Sequence, residues 1–301
     1  MSAIKIKNLT KVYGEKVALN GLNMTVPEGS IYGFIGENGS GKSTTEKIIC
    51  GLITKSSGEV HLYDKDYTDI DIRSQMGVLI EAPGCYPNDT VWNNLMLQAT
   101  NLGIKNKEDE VRKVLTLVRM EGSASNKYKN CSLGMKQRIG IAMALMGNPK
   151  LLILDEPING LDADGMRIMR EILVDIVKDG DRTVLISSHI LGELEKIATH
   201  YGIIRGGKMI AEMTAEELDR DCPKFIAIKT SDMSRAKEIL QVKYEIVRYD
   251  EEKNYLRVYD KVSPEEVVNY LYKNKCIVTE IREDKIGLEE YYINLMKREE
   301  K

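Results

Sequence analysis

Apolar residues recur with two different spacings along the first 213 positions. Ile4 and Ile6 alternate with Lys5 and Lys7, the period-two pattern of a half-exposed strand. Short, mainly apolar runs follow at 31–35, 77–80, 151–154 and 183–187. Runs without alternation predict strands buried on both faces, and so a parallel sheet covered by helices. Between them lies helical periodicity. Met166, Met169, Ile172, Leu173 and Ile176 form one apolar stripe, closed by Gly180. Residues from about 83 to 147 carry helical patterns and little strand signal, which predicts a helical insertion in the sheet domain.

The pattern changes near residue 214. Thr214-Ala215-Glu216-Glu217 reads as a capping box that opens a helix. Beyond it the chain predicts strand 225–230, helix 232–241, strands 243–249 and 254–259, helix 264–273, strand 276–282 and helix 287–299. Ser263, Pro264 and Glu266 mark the start of the second helix as cap, first helical residue and box partner. The order β-α-β-β-α-β predicts a small sandwich of ferredoxin-like type.

Composition agrees with two parts. Residues 1–213 hold 26 basic and 26 acidic side chains, whereas residues 214–301 hold 17 and 20, and 8 of the 15 tyrosines. A length of 301 residues suits one large domain or two smaller ones at ~100–200 residues each. A net charge of −3 removes the footprint of a protein that binds nucleic acid with its whole surface. Cys50, Cys85, Cys131, Cys222 and Cys276 show no metal spacing and are odd in number, which fits packing thiols in a reducing compartment. No apolar window is long enough to span a membrane, and the N-terminal MSAIKIKNLTKVYG holds no signal core.

Two segments carry chemistry. Gly36-Glu37-Asn38-Gly39-Ser40-Gly41-Lys42-Ser43 matches G-x-x-x-x-G-K-[ST], after an expected strand and before an expected helix through Ile48, Ile49 and Leu52. Glycines let backbone N–H groups turn toward phosphate oxygens, and the helix N-terminus adds positive character. Lys42 then reaches the β- and γ-phosphates, Ser43 ligates Mg²⁺, and Thr44 completes the nucleotide-binding run. The second segment is Leu151-Leu152-Ile153-Leu154-Asp155-Glu156-Pro157. A buried strand ending there places Asp155 near the metal, and Glu156 where a carboxylate accepts a proton from water.

With these segments the chain resembles the ATP-binding subunits of ABC transporters, closely over residues 3–213. Cys131-Ser132-Leu133-Gly134-Met135-Lys136-Gln137-Arg138 is similar to the family's signature segment, usually LSGGQ; Cys131, Leu133 and Met135 depart from it. The SLGMKQR form is similar to the branch of bacitracin-resistance and lantibiotic-immunity exporters, as is Gly287-Leu288-Glu289-Glu290-Tyr291-Tyr292 near the end. The resemblance implies an α/β P-loop fold, the ABC ATPase domain, with a helical subdomain at about 83–147 and a small C-terminal α+β accessory domain at 214–301. It implies that Ser132 and Gly134 contact ATP held by an opposing subunit, while Ser132 also caps the helix at 134–146. Tyr13 would stack on adenine, Gly160 and Asp162 would lie at the dimer contact, and His189 would sense the γ-phosphate. His61 and His200 match nothing and read as structural. Glu81 stands where the family usually has Gln; it would ligate Mg²⁺ or act only as a hinge.

The implied activity is ATP hydrolysis driving export, with ATP and Mg²⁺ as cofactors. The implied partners are a separate membrane-spanning permease and a second ATPase subunit, as homodimer or pseudo-dimer, with no nucleic acid. The implied location is peripheral, on the cytoplasmic face of the cell membrane. Two rivals remain. A soluble ABC-type ATPase of translation or DNA repair would carry two ATPase halves, a long coiled coil or zinc cysteines. A regulatory module that binds nucleotide without hydrolysis is opposed by Lys42, Asp155, Glu156 and His189.

Overall fold

A computed structural model describes residues 1–251 and 253–299. The chain divides into two compact units, Met1–Ala215 and Glu216–Lys301.

The first unit opens with β1 (Ser2–Tyr13) and β2 (Lys16–Pro27), an antiparallel pair. After β3 (Ile31–Ile35) and α1 (Lys42–Ile49) the chain returns through β4 (Ser57–Leu62) and β5 (Lys65–Asp66), giving a four-stranded sheet β2-β1-β4-β5. Next come α2 (Ile70–Arg73), β6 (Met76–Leu79) and three helices, α3 (Val91–Asn101), α4 (Lys107–Leu117) and α5 (Leu133–Leu145). The unit continues with β7 (Leu151–Asp155), α6 (Ala163–Val177), β8 (Thr183–Ser188), α7 (Leu191–Leu194), β9 (His200–Arg205) and β10 (Lys208–Thr214). The second sheet runs β10-β9-β3-β8-β7-β6, parallel except for β10 at its edge.

The two sheets bury one core. Alternate residues Ile4 and Ile6 of β1, Leu22, Met24 and Val26 of β2, and Val60 and Leu62 of β4 pack with Tyr32, Phe34, Leu151, Ile153 and Leu185 of the parallel sheet. The opposite alternation, Leu152, Leu154, Val184 and Ile186, is buried as well. A sheet covered on both faces follows from strands with no polar side. The buried Tyr32 hydroxyl donates to Glu212 at 2.7 Å, and the same carboxylate oxygen accepts the Thr25 N–H at 2.8 Å. One side chain of β10 thus ties β3 to β2, and burial followed by the Glu212 charge pushes the Tyr32 phenol well above its ordinary pKa. Helix α1 ends at Ile49, so Leu52 lies outside it and is exposed, contrary to the stripe expected from sequence.

The second unit holds α8 (Ala215–Asp221, which begins at the boundary), β11 (Lys224–Thr230), α9 (Met233–Lys243), β12 (Val247–Asp250), β13 (Tyr255–Val258), α10 (Pro264–Lys273), β14 (Val278–Lys285) and α11 (Leu288–Glu299). Its sheet, β12-β13-β11-β14, is antiparallel throughout, the strand order of a ferredoxin-like sandwich. Helices α9 and α10 cover one face through Ala236, Leu240, Val267 and Leu271. The other face buries Phe225, Ala227 and Tyr255 beside Arg257. Arg257 is pinned between Asp250 and Glu290. Two of the expected strands begin later: α9 runs to Lys243, so β12 starts only at Val247, and β14 runs from Val278 to Lys285.

Candidate functional site

The C-terminal ends of β3, β8, β7 and β6 all lie along one edge of the parallel sheet, where open α/β sheets bind ligands. The four segments that follow these ends are residues 36–43, His189, Glu156 and Glu81. Segments more than a hundred residues apart in sequence therefore meet because their strands are parallel neighbours.

The phosphate loop is shaped by contacts that exclude side chains. Gly41 stands at φ +117° with Leu19 packed where a Cβ would point. A Cβ on Gly36 would lie 2.5 Å from the Ile204 carbonyl oxygen and 2.6 Å from the Ser40 hydroxyl. The Lys42 ammonium is buried and donates to the carbonyls of Gly36 at 2.5 Å and Glu37 at 3.3 Å. It spans the loop that would wrap the phosphates. Gly39, Glu37, Asn38 and Ser43 are exposed, Thr44 is half-buried, and Ser40 is buried. Helix α1 starts at Lys42, so its unpaired N–H groups sit at the loop.

Across from it, Asp155 ends β7 in register with Ser187 of β8. The Ser187 hydroxyl donates to Asp155 Oδ1 at 2.7 Å and accepts the Glu156 N–H at 3.1 Å. That N–H also reaches the Ser187 carbonyl at 3.2 Å. Glu156 has φ +50°, a left-handed backbone that is unusual for a residue with a Cβ. These bonds hold it there. His189 Nδ1 lies 2.7 Å from Glu156 Oε2, within hydrogen-bonding distance. A carboxylate oriented by an imidazole, beside the end of a phosphate-loop helix, can accept a proton from water and have its position fixed while doing so.

Ser43 and Asp155 supply a hydroxyl and a carboxylate, the hard oxygen donors Mg²⁺ takes. Among the described residues no three His, Cys, Asp or Glu side chains converge as an all-protein metal cage. Glu81, at φ +64°, is instead paired with Lys47 of α1 at 2.9 Å. Its hydrogen bond and then the charge of Lys47 hold the carboxyl below its ordinary pKa.

The remaining candidates make contacts of their own. The ring of Tyr13 is exposed at the end of β1, with Lys11 Nζ 4.7 Å from its centroid. Ser132 caps α5, accepting the Met135 N–H at 3.3 Å, and Gly134 is in the first turn. Asp162 caps α6 through the Gly165 N–H at 2.8 Å. Gly160 packs against Leu133, and Gly134 faces Leu161, so the signature segment and the loop after Glu156 adjoin within one chain. Three residues of the cluster are not marked as site residues by the sequence: Ser187, Lys47 and Glu46. Ser187 stands in the sequence only as the last residue of the apolar run 183–187. Lys47 carried no signal of its own. Glu46 did: an acid shares the helical face of Lys42, Thr45 and Ile49, and all four are buried.

Residues 19–159 match the protein family described as ABC transporter. Over 297 residues the chain is 36% identical to the bacitracin transport ATP-binding protein BcrA of Bacillus licheniformis, covering 97% of each. The chain belongs to the ABC transporter ATP-binding proteins. This ABC protein is also 43% identical over 209 residues to the lantibiotic transport ATP-binding protein SrtF of Streptococcus pyogenes, covering 69% of its own length and 90% of that relative. A solved ATP-binding cassette, dimeric in a post-hydrolysis state with ADP and Pi bound, aligns with it at a TM-score of 0.64 and 26% identity, covering 70% of this chain and 98% of that one. The fold of the first unit is that of an ABC ATPase, and the relatives favour transport over translation or DNA repair. Among the described residues no helix is long and apolar enough to cross a membrane.

Proposed function

We propose that this ATP-hydrolysing transporter subunit energises export of a peptide antibiotic through a separate membrane-spanning permease. The carrying observation is the identity of 36% with a bacitracin transport ATP-binding protein along 97% of both chains, which extends through the second unit. Relatives named for lantibiotic transport support the same class of cargo.

In this reading two ATPase subunits close on two ATP molecules. One subunit offers residues 36–44 and Tyr13; Ser132 and Gly134 of the other complete the site, with Gly160 and Asp162 at the contact. Lys42 leaves the carbonyls of Gly36 and Glu37 and donates to the β- and γ-phosphates. Ser43 and Asp155 hold Mg²⁺, which when bound offsets the charge on the phosphate oxygens. Glu156 accepts a proton from the attacking water while His189 fixes its orientation. Glu81 must leave Lys47 before it can join the metal ligands. The subunit works at the cytoplasmic face of the membrane, on the permease, with 1–213 as the motor and 214–301 as the accessory domain.

The test pairs the subunit with a candidate permease in a sensitive host. The expected result is copurification of the two, with resistance to bacitracin or a lantibiotic that Glu156→Gln removes. Copurification with no change in resistance would refute this class of cargo.

A further inference from the structure

Helix α4 closes in a Schellman turn: the Arg119 N–H donates to the Thr116 carbonyl at 3.0 Å and the Met120 N–H to the Leu115 carbonyl at 2.8 Å. Arg119 stands at the left-handed position of that turn, φ +57°, where glycine fits without strain. An arginine there is not the choice of local stability. Its side chain is exposed, and exposed ion pairs add little to folding. What the residue does is join two helices. Its carbonyl accepts from Arg138 Nη1 of α5 at 3.0 Å. Its guanidinium donates through Nη1 to Glu171 and through Nη2 to Asp175 at 3.2 Å, two carboxylates one turn apart on α6. Arg167 holds the other Glu171 oxygen at 2.9 Å. Both helices carry candidate site residues. Arg138 closes the signature segment, whose Ser132 caps α5. Helix α6 is capped by Asp162 and is itself fastened, because its Arg170 pairs with Glu193 of α7.

We propose that Arg119 is a positioning residue for the signature segment: gripping α5 by its carbonyl and α6 by its guanidinium, it sets the angle at which Ser132 and Gly134 meet the ATP of the opposing subunit. The proposal rests on the two-subunit reading of the site. It accounts for an arginine kept where the backbone favours glycine. Arg119 makes no hydrogen bond to residues 36–44, Asp155 or Glu156, so its loss leaves nucleotide binding by the single chain intact. Residues that couple two sites without touching either ligand typically change the coupling by roughly 2–30-fold.

The experiment takes Glu156→Gln as the parent, so that the ATP-loaded dimer accumulates, and adds Arg119→Gly, the pair Glu171→Gln with Asp175→Asn, or all three changes. Sedimentation with Mg-ATP reads dimerisation. Titration of the dilute protein with a fluorescent ATP analogue reads binding by the single chain, and thermal melting reads the fold. Arg119→Gly suits the turn, so it is expected to melt at or above the parent, to bind the analogue as the parent does, and to dimerise roughly 2–30-fold more weakly. The carboxylate pair gives the same loss, and adding Arg119→Gly to it takes away nothing further. Parent-like dimerisation in Arg119→Gly overturns the proposal, and so does a further loss when the three changes are combined. A lower melting temperature or weaker analogue binding in Arg119→Gly overturns it too, because Arg119 is then a structural residue. If the parent itself forms no ATP-dependent dimer, the two-subunit reading falls and the proposal falls with it.

Discussion

Ser187→Ala removes one hydroxyl and leaves the strand intact, so its effect can be worked from the geometry. Asp155 loses a 2.7 Å hydrogen bond to a charged acceptor. Such a bond contributes ~1.5–3 kcal/mol. The Glu156 N–H loses its contact to the hydroxyl but keeps the Ser187 carbonyl at 3.2 Å, so that half costs little. At roughly 2–4 °C per kcal/mol for a unit of this size, the melting temperature should fall by roughly 3–12 °C. If the same energy is lost in the transition state, turnover falls about 10–150-fold. Thermal unfolding and steady-state phosphate release, on the same preparation, measure both. A lower melting temperature with unchanged turnover would reduce Ser187 to a structural role. No change in either would mean that Asp155 is not held as described.

Lys42→Ala removes the donor that spans the loop, and ATP-analogue affinity should fall by at least the ~1.5–3 kcal/mol of a charged hydrogen bond; equilibrium titration checks it, and unchanged affinity refutes the placement. In the second unit Arg257→Met leaves Asp250 and Glu290 without their cation, which should destabilise that unit by about 3–5 kcal/mol in denaturant unfolding. The same cluster sets a pH dependence. Burial opposes the charge on Asp250, but the hydrogen bonds and charge of Arg257 outweigh it, so the folded carboxyl titrates below its ordinary value. The stability it contributes is therefore complete above the unfolded pKa of ~3.9 and is lost as pH falls through the lower folded value. Acid unfolding of wild type against Asp250→Asn tests this; identical midpoints would contradict it.

Legibility differed between the site and the fold. The phosphate loop was readable because backbone geometry dictates it: Gly36 and Gly41 admit no side chain, and Lys42 has a fixed reach. The buried strands at 31–35, 151–154 and 183–187 were readable because both faces are apolar. Strand β2 is not among the expected strands, although Leu22, Met24 and Val26 alternate with Asn23 and Thr25. Strands β4 and β5 offered too few apolar positions, with Val60 and Leu62 the two buried ones. Strands β9 and β10 are also absent from the expected set, and with them the antiparallel edge. Ser187 becomes meaningful only when β7 and β8 are brought together, since no local spacing announces a contact across 32 positions. The Lys47–Glu81 pair is of the same kind.

Glu156 is proposed as the proton acceptor in a site shared by two subunits. Glu156→Gln keeps the shape of the side chain but cannot accept the proton, which typically costs ~10²–10⁴-fold in rate. It also removes a negative charge near the γ-phosphate, so binding survives and the closed, ATP-loaded dimer accumulates by mass action. The measurement is single-turnover hydrolysis by Glu156→Gln, paired with sedimentation of the same protein with and without Mg-ATP. The expected result is an ATP-dependent dimer that releases almost no phosphate. Hydrolysis at the wild-type rate would contradict the role of Glu156, and a monomer that binds ATP without dimerising at high concentration would contradict the shared site.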